Sequence, residues 1–190
     1  MNPKPLIDAA LLAAQTQADE GETSRVIHRN RSKHFVEALA HAFRDSYKST
    51  PTARVLSKHF DLHREEFGLN ELLFDVLVCD TSSVLSARDS ARLTYVTKAL
   101  WAVESEFARD TREAMFDFNK LVLAAADSKL FVGPLVDDEA SFIQPLTYPA
   151  KTCTGDVYVA LVPHPAQWAS QRAIAHVYKF SQSEWVPATD

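Results

Sequence analysis

Glycine is scarce in this chain, with four in 190 residues. No G-x-x-x-x-G-K run occurs, so a glycine-rich phosphate loop is excluded. Cysteine is scarcer still: Cys79 and Cys153 are the only two. They have no metal-type spacing and are expected to be free thiols in a reducing cytoplasm. No apolar run reaches the ~18–20 residues that a membrane span needs, so no membrane is expected as a partner. The apolar stretch Leu6 to Ala14 is broken by Asp8 and lacks the continuous core of a signal peptide. It reads as a short helix. The seven histidines show neither H-x-H nor H-E-x-x-H spacing, and no serine stands in a G-x-S-x-G context. Zinc-hydrolase and serine-hydrolase patterns are therefore without support.

What is present is an ordinary globular composition, 46% apolar and 24% charged, in a chain long enough for one domain with a substantial core. The net charge of −5 argues against a protein that coats nucleic acid. The charge is unevenly placed, however. Residues 25–64 hold nine Lys or Arg against three acids, a surplus of +6, and the rest of the chain carries −11. A basic first third is compatible with a phosphate-facing surface, or with long helices that carry solvated charge.

Hydrophobic periodicity predicts helices over 4–18 and 30–47, the second with Val36, Leu39, Ala40 and Phe43 on one face. Gly21 and Glu22 mark a break between them. Residues 54–60 are expected as a short helix. Glu71 to Cys79 is apolar on both faces and reads as a covered strand with Asp75 as its one interior charge. Residues 80–92 are polar and read as a loop, Leu93 to Lys98 as a strand extension, and 99–107 as the next strand. Asp110 caps a helix over 111–127. Further strands are expected at 130–132, stopped by Gly133 and Pro134, at 156–162 and at 173–180, with a linker before the last two. The whole is a single α/β domain, 1–190: an N-terminal helical part over 1–50 and an α/β core over 66–180 with helices against a central sheet.

One segment resists this pattern. Residues 102–107 read A-V-E-S-E-F, two glutamates two apart in an apolar stretch. On a strand such residues lie ~6.6 Å apart on one face. Two ionised carboxylates there repel, and burying either unpaired costs several kcal/mol. A divalent cation, a basic partner or a raised pKa must compensate. Asp75 adds a third acid from another covered strand. Three such carboxylates form a hard-oxygen site suited to Mg²⁺ or Mn²⁺, an ion that can activate water for phosphoryl transfer.

The order of these pieces resembles the PD-(D/E)xK nuclease superfamily. The matching pieces are a covered strand with Asp75, a later strand with Glu104-Ser-Glu106, then a helix carrying Asp117-Phe-Asn-Lys120 and another strand, over roughly 66–133. The resemblance implies a restriction-endonuclease-like fold, a mixed central sheet flanked by helices, with N-terminal helices added. It implies Mg²⁺ or Mn²⁺ at Asp75 and Glu104. The third motif position, normally Lys, is Glu106 here. Glu106 is expected to ligate the ion or a water, and Lys120 to supply the displaced cation. Nucleic acid, DNA foremost, is the implied substrate, with Arg25, Arg29, Arg31 and Lys33 on its phosphates. Nucleases of this fold often pair as homodimers. A catalytically inactive nuclease-like interaction domain is the other reading. Bland roles also remain open: Asp75 satisfied by backbone N–H groups, Glu104 and Glu106 on an exposed edge beside Lys98 or Arg109, and Asp117 with Lys120 as a helix-surface ion pair.

Overall fold

A computed structural model describes residues 1–16, 23–168 and 174–188. The expected break at Gly21 and Glu22 lies outside the described residues. Helix α1 (Lys4–Thr16) and helix α2 (Ser24–Ser46) form one layer. α2 begins six residues earlier than its apolar periodicity suggests, because the Thr23 hydroxyl caps it by accepting the Val26 N–H.

Seven strands follow in one mixed sheet, and their spatial order is their chain order. They are β1 (Ala53–Leu56), β2 (Val76–Leu85), β3 (Arg92–Ser105), β4 (Ala126–Pro134), β5 (Asp156–Val162), β6 (His176–Ser181) and β7 (Glu184–Pro187). β3, β4 and β5 run parallel to one another, and every other neighbouring pair is antiparallel. A short helix α3 (Arg64–Phe67) precedes β2. Helix α4 (Thr111–Leu123) connects β3 to β4, and the short helices α5 (Glu139–Ile143) and α6 (Thr147–Ala150) precede β5.

The sheet separates two cores. Phe35, Leu39 and Phe43 of α2 pack with Ile7 and Leu11 of α1 on Val76, Val78, Trp101 and Val103. On the opposite face, Ala114, Phe118 and Leu121 of α4 pack with Phe142 and Leu146 on Leu77, Ala102, Phe131 and Val159. A helix layer on each side of a mixed sheet is the expected α/β class.

Several boundaries differ from the sequence reading. Residues 54–60 hold strand β1 rather than a helix, since Val55 and Leu56 are buried beside β2. The expected loop over 80–92 is mostly strand. β2 and β3 continue as a two-stranded arm, paired from Asp80↔Lys98 to Leu85↔Arg92. The helix expected to reach 127 ends at Leu123. β4 is three times the expected length and runs through Gly133 to Pro134. The linker carries α5 and α6, whose Phe142, Ile143 and Ala150 are buried. The last expected strand gains a partner, β7, so the sheet reaches Pro187.

Lys129 of β4 is buried. Its ammonium donates to the carbonyls of Ala126, at 3.0 Å, and Thr154. It thereby ties the turn before β5 to the sheet. Gly155 completes that turn at φ +73°, where a Cβ would collide with the Asp127 carbonyl oxygen.

Candidate active site

Asp75 directly precedes β2. Two residues earlier Leu73 sits at φ +69°, and the Phe74 N–H bonds the Leu72 carbonyl at 2.9 Å across it. A γ-type turn centred on a leucine is strained, and it fixes where the strand, and Asp75 with it, begins. The β2–β3 pairing ends at Val76↔Val103. One further step sets Asp75 opposite Glu104 on the same face. The Asp75 Oδ2 accepts the Ser105 N–H at 2.9 Å and the Ser105 hydroxyl at 2.6 Å. Its Oδ1 has no hydrogen bond among the described residues.

Glu104, on β3, is 1% exposed. Its Oε2 lies 3.0 Å from the Lys120 Nζ of α4, which also lies 2.8 Å from the Asp117 Oδ1. The Glu104 Oε1 is buried and has no hydrogen-bond partner among the described residues. Burial, with the Asp75 charge adding to it and Lys120 opposing, pushes the Glu104 carboxyl up to about 8. Burial works against the Lys120 ammonium, but Asp117 and Glu104 outweigh it and its pKa is raised.

Glu106 follows the last residue of β3, and its N–H still bonds the Val132 carbonyl of β4 at 2.9 Å. The chain turns, the Glu106 Oε1 accepts the Ala108 N–H at 2.6 Å, and Glu106 lines a cavity of about 620 Å³ between α2 and the ends of the strands. Asp75 and Ser105 line the same cavity. Asp75 is therefore the pivot: register sets it against Glu104, and exposure sets it against Glu106. Among the described residues, no group of three or more His, Cys, Asp or Glu is placed to hold a metal ion. Of the three acids expected together, Asp75 stands opposite Glu104 in the strand register and lines one cavity with Glu106.

The basic residues also divide. Arg29 and Lys33 are exposed on α2 and line the cavity; Arg25 is exposed a turn earlier and does not line it. Arg31 departs from the expected phosphate role. It is buried, and its Nη1 donates to the Pro165 carbonyl, which holds α2 against the segment after β5. Lys58, His59 and Ser105 line the cavity without having been singled out. Only the basic run around Lys58 hinted at any of them. The exposed-edge reading of Glu104 is excluded by its burial, and Lys98 pairs with Asp127 instead. Backbone satisfaction of Asp75 and the helix pair of Asp117 with Lys120 are both observed, as parts of one cluster rather than as alternatives to it.

No helix among the described residues is long and apolar enough to cross a membrane. No family model matches the chain, and no curated protein or solved structure matches it.

Proposed function

We propose that the protein is a metal-dependent nuclease on a restriction-endonuclease-like core, hydrolysing phosphodiester bonds of nucleic acid, DNA foremost. One observation carries the reading. A carboxylate at Glu104 is buried with one oxygen on Lys120 and the other orphaned, and Asp75 from the neighbouring strand adds to its electrostatic burden. A buried charge so placed is costly unless a cation or a proton answers it. The strand order supports the same reading: the β2–β3 hairpin brings the two acids together, and α4 then leads into β4, parallel to β3.

The residues fit Mg²⁺ or Mn²⁺. Mg²⁺ commonly takes one or two carboxylates and completes its shell with water and substrate phosphate. Asp75 through Oδ1 and Glu104 through Oε1 would hold it, without Glu106. Such an ion supplies a Lewis acid for water and for the charge of phosphoryl transfer. Ser105 orients Asp75 with two hydrogen bonds. Lys120 lies against Glu104 on the α4 side, so its part is to oppose the upward push of burial and Asp75 on that carboxyl. Glu106 keeps Oε2 for a water in the cavity. Arg29 and Lys33 stand where phosphates would enter.

Mn²⁺-dependent cleavage of linear and circular DNA tests this. It is expected in the wild type and lost in Asp75→Asn and in Glu104→Gln; cleavage that persists in both variants sinks the assignment. A second reading, a nuclease-like domain without activity, is favoured by one fact: Lys120 and Ser105 already engage one oxygen of each acid. Nucleic-acid binding with no Mn²⁺-induced rise in melting temperature would select it.

A further inference from the structure

The cationic wall of the cavity has a feature that phosphodiester contacts do not explain. Elsewhere Lys4, Arg44, Arg54, Lys98, Lys120 and Lys179 each sit within ion-pair distance of a carboxylate, whereas Arg25, Arg64, Arg88 and Arg112 have no ion pair among the described residues. Arg29, Lys33 and Lys58 line one cavity, and none has an ion pair among the described residues. They come from two separate segments, α2 and the residues after β1, so the convergence belongs to the fold and not to one helix face. Lys33 and Lys58 both act on His59, and burial with those two charges lowers its pKa. Arg29, Lys33 and Lys58 thus share the cavity wall with two carboxylates, Asp75 and Glu106, and the cations outnumber the acids by one.

The size of that space narrows the ligand. About 620 Å³ lies within the ~300–1,000 Å³ of sites for small ligands. Cations that track a duplex form a stripe along an interface of about 1,000 Å² or more. A phosphodiester brings one negative charge. A phosphomonoester brings about −1.5 to −2 at neutral pH, with three strong acceptor oxygens. Three cationic donors on one cavity wall match the three acceptor oxygens of the monoester. Of the two acids in the cavity, Asp75 has its Oδ2 turned to Ser105 and Glu106 its Oε1 to Ala108, so one oxygen of each is occupied away from an entering anion.

We propose that Arg29, Lys33 and Lys58 form a binding site for a phosphomonoester dianion. On the nuclease reading, and only there does the inference rest on it, this dianion is the terminal phosphate of a strand whose next phosphodiester lies toward Asp75. The other source of the same chemistry is a free nucleotide.

Fluorescence anisotropy in EDTA tests the site without cleavage. Short oligonucleotides of one sequence are compared with a 5′-phosphate, a 3′-phosphate or hydroxyls at both ends. One phosphorylated form is expected to bind about tenfold tighter than the hydroxyl form. The Lys33→Gln/Lys58→Gln variant is expected to lose that preference. Equal binding of all three forms overturns the proposal, and so does a preference that survives in the variant. Competition with a mononucleotide assigns the source. Displacement as effective as that by the phosphorylated strand points to free nucleotide, and weak displacement points to the strand end. A phosphate preference with no cleavage of any substrate defeats the nuclease reading and leaves this site standing. Cleavage with no phosphate preference defeats this inference alone.

Discussion

The ammonium of Lys120, on the surface of α4, lies 3.0 Å from the Oε2 of Glu104, a carboxylate 1% exposed on β3. Removing one partner of such a pair leaves a buried charge unanswered, at ~3–5 kcal/mol when both are buried. Lys120 is half exposed, so solvent reduces that figure. Lys120→Met is expected to cost about 1–2 kcal/mol at pH 8 and far less at pH 5. Denaturant unfolding at both pH values measures it. An equal loss in a Glu104→Gln background would show that the charge pair is not the cause.

Glu104 also sets a direction for stability against pH. Its folded-state carboxyl is pushed up to about 8 from 4.5, so between those values the native state holds a proton that the unfolded chain has released. The contribution of this group is complete below the unfolded value and is lost as pH rises through the folded one. From pH 5 to pH 8 the wild type should lose up to a few kcal/mol more than Glu104→Gln. Parallel curves for the two proteins would refute the shift.

Arg31 and Arg29 are two residues apart on α2 and should behave oppositely. Arg31 is buried on the Pro165 carbonyl; Arg31→Met should destabilise by about 2–3 kcal/mol, the loss of a charged hydrogen bond and the stranding of its acceptor. Arg29→Met should change stability by under ~0.5 kcal/mol. Its effect is expected on DNA affinity and on the steepness of its salt dependence. Melting curves and salt titrations separate the two.

Leu73 is 77% exposed at φ +69°, where an L-side chain costs ~1–2 kcal/mol. Leu73→Gly should therefore stabilise by about 1 kcal/mol, read as a higher denaturant midpoint. A lower midpoint would mean that the side chain makes contacts that outweigh the backbone strain.

The sequence discloses the covered strands and the helix over 111–123 because burial on two faces and a capping aspartate both leave local marks: Leu77 and Val78 face opposite cores, and Asp110 accepts the Arg112 N–H. The arm of β2 and β3 leaves fewer: Leu93 to Lys98 read as a strand extension, which β3 bears out, but residues 80–85 did not. Its residues Ser82, Ser83 and Thr94 are polar, and its apolar ones, Val84, Leu85 and Leu93, are exposed. Nor does the β6–β7 hairpin announce itself. Its turn residues Gln182 and Ser183 both adopt positive φ, the conformation that Asn-Gly ordinarily signals. In the site, Asp75 and Glu104 were legible as interior charges. The end of β3 between Glu104 and Glu106 was not, because nothing local marks where a strand stops. The unpaired cations of the cavity were hidden for a related reason: Lys33 and Lys58 meet only through the tertiary fold.

The agreement between spatial and chain order in the sheet bears on how the molecule is made. Each strand pairs with the one synthesised just before it. On a nascent chain leaving the ribosome, Arg29, Lys58, Asp75, Glu104 and Lys120 are all present by the time Pro134 closes β4. Vectorial synthesis thus delivers the acids, their ammonium partner and the cationic wall before β5 to β7 extend the far side of the sheet.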